Sequence, residues 1–207
     1  MTDTQTTSAT ETTNIMLSGV GGQGIITLSA ILSRACLLAG LNVKKSEVHG
    51  MSQRGGSVES HVRFSQDQVF SPLIPWGGAD IVVALEQVEA VRTAEWCRPG
   101  GVIIADERKI CPTTVSSGPF DYPEDCREQL DDIEADVVVI NAFAIACELG
   151  EPRAANMVML GAMSGLLEIP EKAYTGAMEK IIKKNAVPIN IEAFGRGRTV
   201  IGKKLSG

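Results

Sequence analysis

The sequence has few of the residues that bind metals. Its five cysteines are widely spaced, at positions 36, 97, 111, 126 and 147, and it contains two histidines. No cysteine pair has the C-x-x-C spacing of zinc or iron–sulfur sites, so no metal site is predicted in this chain. Any redox chemistry would then need electron carriers on another chain. An odd number of scattered thiols also favours a reducing compartment, and we expect a cytoplasmic protein.

The sequence also lacks a membrane segment and an excess of positive charge. No apolar run reaches the roughly 20 residues of a membrane span, and the first 13 residues are polar without a basic side chain. We predict that residues 1–13 form a disordered tail and are not a targeting segment. The net charge of −6 argues against a nucleic-acid-binding surface. Neither nucleic acid nor a membrane is therefore expected as a partner.

The most informative stretch of the sequence is a glycine-rich turn near its start. Residues 15–20 form an apolar segment of strand length, and residues 25–38 carry apolar side chains at helical spacing. A glycine turn from strand to helix leaves backbone amides free at the helix start, so this turn is predicted to bind a phosphate or another anion. Alternatively, the glycines only permit tight packing of the strand on the helix. The candidate residues of this turn are Gly19, Gly21, Gly22, Gln23 and Gly24.

The spacing Gly19-x-Gly21-x-x-Gly24 also matches the dinucleotide-binding fingerprint. That fingerprint requires an acid about 20 residues later to hold the ribose hydroxyls, and Glu47 is a late candidate for it. A self-contained NAD(P)-binding dehydrogenase is therefore one alternative for the function.

A second loop, residues 46–57, is dense in polar side chains and glycine. Its arginine could take a phosphate or carboxylate with two hydrogen bonds, and its histidine could transfer or donate a proton. In a doubly wound sheet this loop would leave the second strand at the same edge as the glycine turn, so the two loops would share one crevice. A network that stabilises the loop or an interface is the alternative. The candidate residues here are Glu47, His49, Gln53, Arg54, Gly55 and Gly56.

The rest of the chain alternates apolar strands with helices. Strands are predicted at residues 41–48, 58–64, 79–85, 102–105 and 137–140, and helices at 86–97, 124–133, 142–149, 154–167 and 171–184. Residues 69–74 are expected to pair with 58–64 as a hairpin. This order predicts an α/β fold with a three-layer, mostly parallel Rossmann-like sheet, a hairpin and a helical C-terminal segment.

The predicted domain organisation is simple. Residues 14–185 form a single domain, and residues 186–207 form a C-terminal extension. Residues 192–207 hold four basic side chains without aromatic residues between them, and we expect this part to be solvated or to dock on an acidic partner.

Four motifs, in order along the chain, resemble a known family. They are VGGQG at 20–24, SEVHGMSQRGGS at 46–57, SHVRF at 60–64 and SPLIP at 71–75. Together they are similar to the gamma-type subunits of thiamine-diphosphate-dependent 2-oxoacid:ferredoxin oxidoreductases. The second motif is closest to the beta subunits of indolepyruvate ferredoxin oxidoreductases. The resemblance covers about residues 14–170, and a gamma subunit of a pyruvate or 2-oxoglutarate enzyme is the alternative within the family.

This resemblance implies a subunit that is not catalytic on its own. The whole enzyme is expected to decarboxylate an arylpyruvate oxidatively with coenzyme A, giving an acyl-CoA, CO₂ and reduced ferredoxin. The resemblance places thiamine diphosphate, Mg²⁺ and [4Fe–4S] clusters on a large partner subunit, and no cofactor or metal in this chain. Both loops are then candidate contacts for coenzyme A, thiamine diphosphate or the partner. No catalytic residue is assigned, because the carbanion chemistry belongs to the cofactor. A purely structural subunit without a ligand is the remaining alternative.

Overall fold

The fold is a six-stranded mixed sheet with helices on both faces. The computed structural model describes residues 12–49, 56–111 and 121–205. The strand order is β2-β3-β1-β4-β5-β6. The predicted α/β class and three-layer arrangement are confirmed. The strands are β1 (Thr13–Val20), β2 (Asn42–His49), β3 (Ser57–Ser65), β4 (Ala79–Ala84), β5 (Cys97–Asp106) and β6 (Ala135–Ile140).

Seven α-helices in the described residues cover the two faces of the sheet. One face packs against α1, α4, α5, α6 and α7, and the other against α2 and α3. No helix in the described ranges combines the length and the hydropathy of a membrane span. The helices are α1 (Ile25–Leu38), α2 (Gln87–Ala94), α3 (Cys126–Asp131), α4 (Ala142–Glu148), α5 (Ala155–Ser164), α6 (Glu171–Ile181) and α7 (Val187–Leu205).

Five of the six strands run in the same direction, and β3 runs against them. β1, β4, β5 and β6 pair in parallel, whereas β3 lies antiparallel between β2 and β1. The first unit is therefore a β1-α1-β2 crossover that skips one strand position, which β3 then fills. Because β2 and β1 point the same way, both strands end at the same edge of the sheet. We call this edge the rim.

The predicted hairpin between residues 58–64 and 69–74 is wrong. The strand β3 pairs with β2 on one side and β1 on the other, so no position beside it is left for a further strand. Residues 66–78 instead form an irregular segment before β4. Pro72 and Pro75 favour this outcome, because neither residue has an N–H to donate to a ladder of hydrogen bonds. Of the predicted N-terminal tail, residues 1–11 lie outside the described residues, and Thr13 already belongs to β1.

The C-terminal residues form a packed helix. In α7, Ala193, Phe194 and Ile201 are buried, so the expectation that the chain is solvated from residue 192 onward is wrong for the described part. The helix packs on α5 with backbone contact at two glycines. A Cβ atom on Gly197 would lie 1.9 Å from the Val158 carbonyl oxygen, and one on Gly161 would lie 2.0 Å from that of Phe194. Small residues on both helices thus allow their axes to approach closely.

Two of the basic side chains of α7 bind acidic groups of this same chain. Arg196 lies 2.8 Å from a Glu148 oxygen, and Arg198 lies 3.5 Å from a Glu171 oxygen. Arg198 also donates to the Ser164 hydroxyl at 3.0 Å. These two arginines are therefore part of the packing of α7, and the expected docking on an acidic partner is not needed to explain them.

Candidate functional site at the rim of the sheet

The two loops chosen from the sequence begin at the same rim. The Gly21 amide donates to the Gly56 carbonyl oxygen at 2.9 Å, which joins the glycine turn to the end of the second loop. Across the three strands, His49 of β2 is level with Val58 of β3, and Val58 is level with Gly19 of β1. The described ends of both loops therefore face the same side of the molecule.

Part of the second loop lies outside the described residues. This holds for Gln53, Arg54 and Gly55, and the structure describes the backbone of His49 without its side chain. The predicted ligand contacts of these four residues stay predictions.

Gln23 holds the glycine turn in place. Its Oε1 accepts from the Val20 amide at 2.7 Å, and its Nε2 donates to the Leu85 carbonyl oxygen at the end of β4. The same side chain explains one glycine, because a Cβ on Gly19 would lie 2.8 Å from Gln23 Oε1. The sequence predicts Gln23 as a ligand contact. In the structure its side-chain amide hydrogen-bonds the turn to the neighbouring strand β4.

Several turn amides predicted to be free already donate within the protein. The amides of Val20, Gly21 and Gln23 bond to Gln23 Oε1, Gly56 O and Val20 O. Gly22 and Gly24 have left-handed φ values of 100° and 84°, which only glycine adopts without strain. Gly24 is the N-cap of α1, and no side chain among the described residues caps this helix. A ligand at the turn would therefore meet the remaining amides and the start of α1.

A small crevice opens beside the turn. It has a volume of about 150 Å³ and lies where β1, β4 and β5 end, at the point where the crossovers leave the sheet in opposite directions. Sequence reasoning did not choose most of the residues around it. The crevice is lined by Gly22, Gln23, Leu85, Asp106, Arg108, Phe143, Pro152, Arg153, Ala155 and Asn156.

Asp106 is the buried acid of this crevice. Its side chain is 1% exposed, and its Oδ1 accepts from the Ala142 amide at the start of α4 at 3.1 Å. Burial raises the pKa of Asp106 from 3.8 to about 6, against the hydrogen bonds from the backbone of Ala142, Phe143 and Arg108 that lower it. Asp106 follows the predicted strand 102–105, and the carboxyl ends of parallel strands lie at the same edge of a sheet. The sequence therefore contained the information that places this acid at the rim.

The charges around the crevice nearly balance. The Arg108 guanidinium lies 4.1 Å from the centre of the Phe143 ring, close to the Asp106 carboxyl group. Arg153 binds both oxygens of Glu151, at 2.8 and 2.9 Å. The crevice is thus a polar pocket with cations and acids side by side, and it does not concentrate positive charge.

A charged cluster fixes the first residue of β3 beside the rim. The Ser57 hydroxyl donates to Glu89 of α2, and Arg92 donates to both oxygens of Glu89 at 2.8 and 2.9 Å. Arg92 also lies 3.6 Å from Glu59. Burial raises the pKa of Glu59, while nearby Arg92 lowers it and Glu89 raises it further. This cluster ties the described end of the second loop to α2.

The position of Glu47 disagrees with a dinucleotide site. In a Rossmann unit, the acid after the second strand lies beside the glycine turn because the first two strands are neighbours. Here β3 separates β2 from β1, so Glu47 lies about 10 Å from β1, two strand spacings away. Its carboxylate is paired with Lys45 at 2.7 Å. The NAD(P)-binding alternative is therefore not favoured.

The Gly24→Ala variant should lose about 2 kcal/mol of stability. The left-handed φ of 84° strains any other residue, and a Cβ there would lie 2.4 Å from Asn156 Nδ2. Asn156 would have to give up its hydrogen bond to the Gly24 carbonyl oxygen, now 3.4 Å long. Urea unfolding of the purified chain measures the loss.

Gly40 offers a matched control at the other end of α1. Its φ of 82° is nearly the same, but a Cβ there would meet nothing within 4 Å. We expect Gly40→Ala to lose only the backbone part, about 1 kcal/mol. When Gly24→Ala is measured in an Asn156→Ala background, its loss of stability should fall toward that of Gly40→Ala. Equal losses for the single variants Gly24→Ala and Gly40→Ala would contradict the crowding at Asn156.

The fold and the rim together define an α/β domain whose polar crevice lies at the switch point of the sheet. The chain belongs to the pyruvate ferredoxin/flavodoxin oxidoreductase family, whose sequence profile matches residues 14–200 of this chain. The predicted family is confirmed.

Individual relatives support this assignment. The chain is 41% identical over 188 residues to indolepyruvate oxidoreductase subunit IorB of Archaeoglobus fulgidus, covering 89% of this chain and 92% of that protein. The fold matches the gamma subunit of the keto/oxoacid ferredoxin oxidoreductase of Geobacter sulfurreducens with a TM-score of 0.69, at 25% identity, over 94% of this chain and 99% of the other. It also matches a 2-oxoglutarate:ferredoxin oxidoreductase from Magnetococcus marinus, solved with 2-oxoglutarate, coenzyme A and succinyl-CoA bound. That match has a TM-score of 0.75 at 23% identity, and covers 93% of this chain and 31% of the other.

Proposed function

We propose that this chain is the smaller subunit of an indolepyruvate-type 2-oxoacid:ferredoxin oxidoreductase. The assembled enzyme would oxidise and decarboxylate an arylpyruvate with coenzyme A, yielding an acyl-CoA, CO₂ and reduced ferredoxin. The observation that carries this proposal is the correspondence with the IorB relative along 92% of that protein's length. A pyruvate or 2-oxoglutarate enzyme is less well supported, because that relative is an indolepyruvate oxidoreductase subunit.

The described residues were compared with the ligand sets that proteins use to hold metal ions. None of them form a group of three or more His, Cys, Asp or Glu side chains able to hold a metal ion. We propose, from the family to which the chain belongs, that thiamine diphosphate, Mg²⁺ and [4Fe–4S] clusters are held by a large partner subunit, through which ferredoxin would be reduced. When bound there, these groups supply the carbanion and electron-transfer chemistry.

The rim is where this chain would contact coenzyme A or the cofactor-bearing subunit. No side chain in the described ranges caps the start of α1, whereas α2 and α4 are capped by Glu86 and Asn141. A helix start without a side-chain cap favours an anionic group. Gln23 would keep the turn rigid, and the Gly21 to Gly56 hydrogen bond would keep the second loop beside it. The chain's part is thus to bind and orient.

The proposal is tested by purifying the tagged protein mildly from its own cells. We expect a large thiamine-diphosphate-containing chain to co-purify, identified by mass spectrometry and by its bound cofactor. The isolated chain should show no arylpyruvate oxidation. If the isolated chain binds NADH or NADPH at micromolar concentration with fluorescence transfer, the dehydrogenase alternative gains and the proposal fails. The cytoplasmic location stays a prediction.

A further inference from the structure

The irregular segment before β4 displays large apolar side chains to solvent. Phe70 is 82% exposed, Leu73 51% and Trp76 63%. Two other side chains of the segment, Val69 and Ile74, point inward and are 4% and 3% exposed. We call Phe70, Leu73 and Trp76 the apolar platform. The two inward residues anchor this segment to the fold, and each side chain of the platform stays more than half exposed among the described residues.

The platform is held rigidly by β3. Arg63 donates to the carbonyl oxygens of Ser71 and Leu73 at 3.1 and 3.0 Å, and its Nε donates to Asn14 at 2.7 Å. The buried His61 accepts from the Ile74 amide at 3.3 Å. A fixed backbone costs little entropy on binding, which is the property of an interaction site.

Aromatic contacts support the platform from below. The ring of Trp96 lies 4.8 Å from that of Trp76 and 5.0 Å from that of His61. Burial lowers the pKa of His61, so the neutral ring that accepts from Ile74 is the favoured form. Phe70, in contrast, contributes little to the fold at 82% exposure. An exposed aromatic side chain on a rigid segment is typical of a binding anchor.

The platform and the rim lie at the two ends of one row of β3 side chains. Alternate residues of β3 point to the α2 side: Ser57 at the rim, Glu59 beside Arg92, His61 under Ile74, and Arg63 under the platform. At about 3.3 Å per residue this row is about 20 Å long. On the edge strand β2, Val48 pairs with Glu59 and is 46% exposed, so apolar surface also occurs near the rim.

We propose that the apolar platform binds an apolar pocket on the large cofactor-bearing subunit, and that this interface continues along β3 to the rim. The inference rests on the proposed function. In the Magnetococcus protein the matching fold is 31% of a chain, whereas the sequence match covers 92% of the Archaeoglobus subunit. Where the fold makes up nearly a whole chain, its contact with the rest of the enzyme has to be non-covalent, and it needs anchors such as these.

The area of the platform argues against a second copy of this chain as the occupant. If each large side chain has a surface of about 200 Å², the exposed fractions of Phe70, Leu73 and Trp76 give the platform an accessible area of roughly 400 Å². A symmetric pair would bury roughly 800 Å² in all, below the roughly 1,200 Å² of a specific interface. A large subunit that also reaches the rim can cover the platform and Val48 together.

The test is reconstitution of the complex from the two separately purified subunits, with affinity measured by analytical ultracentrifugation. Phe70→Ser and Leu73→Ser should each weaken association about 10-fold or more, and the double variant about 100-fold, because truncated anchors cost that much. Leu37→Ser on α1 is the matched control, since Leu37 is also 58% exposed but lies on the opposite side of the sheet. It should leave the affinity unchanged. All variants should keep the wild-type melting temperature within about 2 °C.

The possible outcomes separate this inference from the proposed function. Wild-type affinity in the double variant overturns the platform interface while leaving the proposed function intact. An isolated wild-type chain that is a dimer, and that Phe70→Ser dissociates, also overturns it by showing a second copy as the occupant. Failure of the wild-type chain to bind the large subunit defeats the proposed function itself. Selective loss in the platform variants, with normal binding by Leu37→Ser, supports the inference.

Discussion

Replacing Gly197 by alanine should destabilise the protein by about 3 kcal/mol. The added Cβ would lie 1.9 Å from the Val158 carbonyl oxygen and 2.9 Å from the Ala162 amide nitrogen, both backbone atoms of α5 that no rotamer change can move. The helices would have to separate, which would loosen the contacts of the buried Phe194 and Ile201. Overpacking of a tightly fitted core costs this much. Urea unfolding followed by circular dichroism measures the change.

A control for this prediction lies two residues away on the same helix. A Cβ on Gly195 would meet nothing within 4 Å. Gly195→Ala should therefore raise the stability by about 0.5–1 kcal/mol, because alanine loses less conformational entropy in a helix than glycine does. If both variants change stability alike, the close packing of α7 on α5 is wrong.

The second large effect is expected at Asp106. Its pKa is raised by burial from 3.8 to about 6, so folding favours the protonated carboxyl group. The shifted pKa of Asp106 contributes about 3 kcal/mol to the free energy of unfolding. This contribution is fully present below about pH 3.8 and is lost as the pH rises through about 6. Asp106→Asn keeps an acceptor for the Ala142 amide without the buried charge. We expect it to be more stable than the wild type at pH 7.5 by about 1–3 kcal/mol.

The pH profile distinguishes this cause from a general gain in packing. Between pH 4 and 7 the unfolding free energy of Asp106→Asn should change less with pH than that of the wild type. Asp136→Asn, which replaces an exposed acid of the neighbouring strand β6, should keep the wild-type profile. If Asp106→Asn is less stable than the wild type at pH 7.5, Arg108 and the backbone amides stabilise the charged Asp106 carboxylate by more than burial destabilises it.

Much of the fold followed from local sequence patterns. The apolar run of β4 and its flanking glycines predicted a strand buried on both faces, since a central strand has no solvent side. The glycine turn and α1 were also predicted, because the strand-length apolar run, the cluster of glycines and the helical spacing all lie within one short stretch. These features need no knowledge of distant partners.

The features that the sequence did not reveal depend on distant contacts. Nothing near β3 showed that it would enter the sheet between β2 and β1, since that position is decided by competition among strands. Asn156 reaches Gly24 across 132 positions, and only the folded structure brings the two together. The helix α7 was missed because its glycines lower helix propensity, whereas in the structure Gly197 permits the contact with α5 that stabilises it.

We propose that this chain acts only as a subunit, with its rim against the partner's chemistry. The most direct test of this proposal is coenzyme-A-dependent reduction of ferredoxin with indolepyruvate, measured for this chain, for the large subunit and for the two combined. We predict turnover for the combination, none for this chain, and little for the large subunit. Full turnover by this chain alone, or an equal rate when it is left out, would contradict the account.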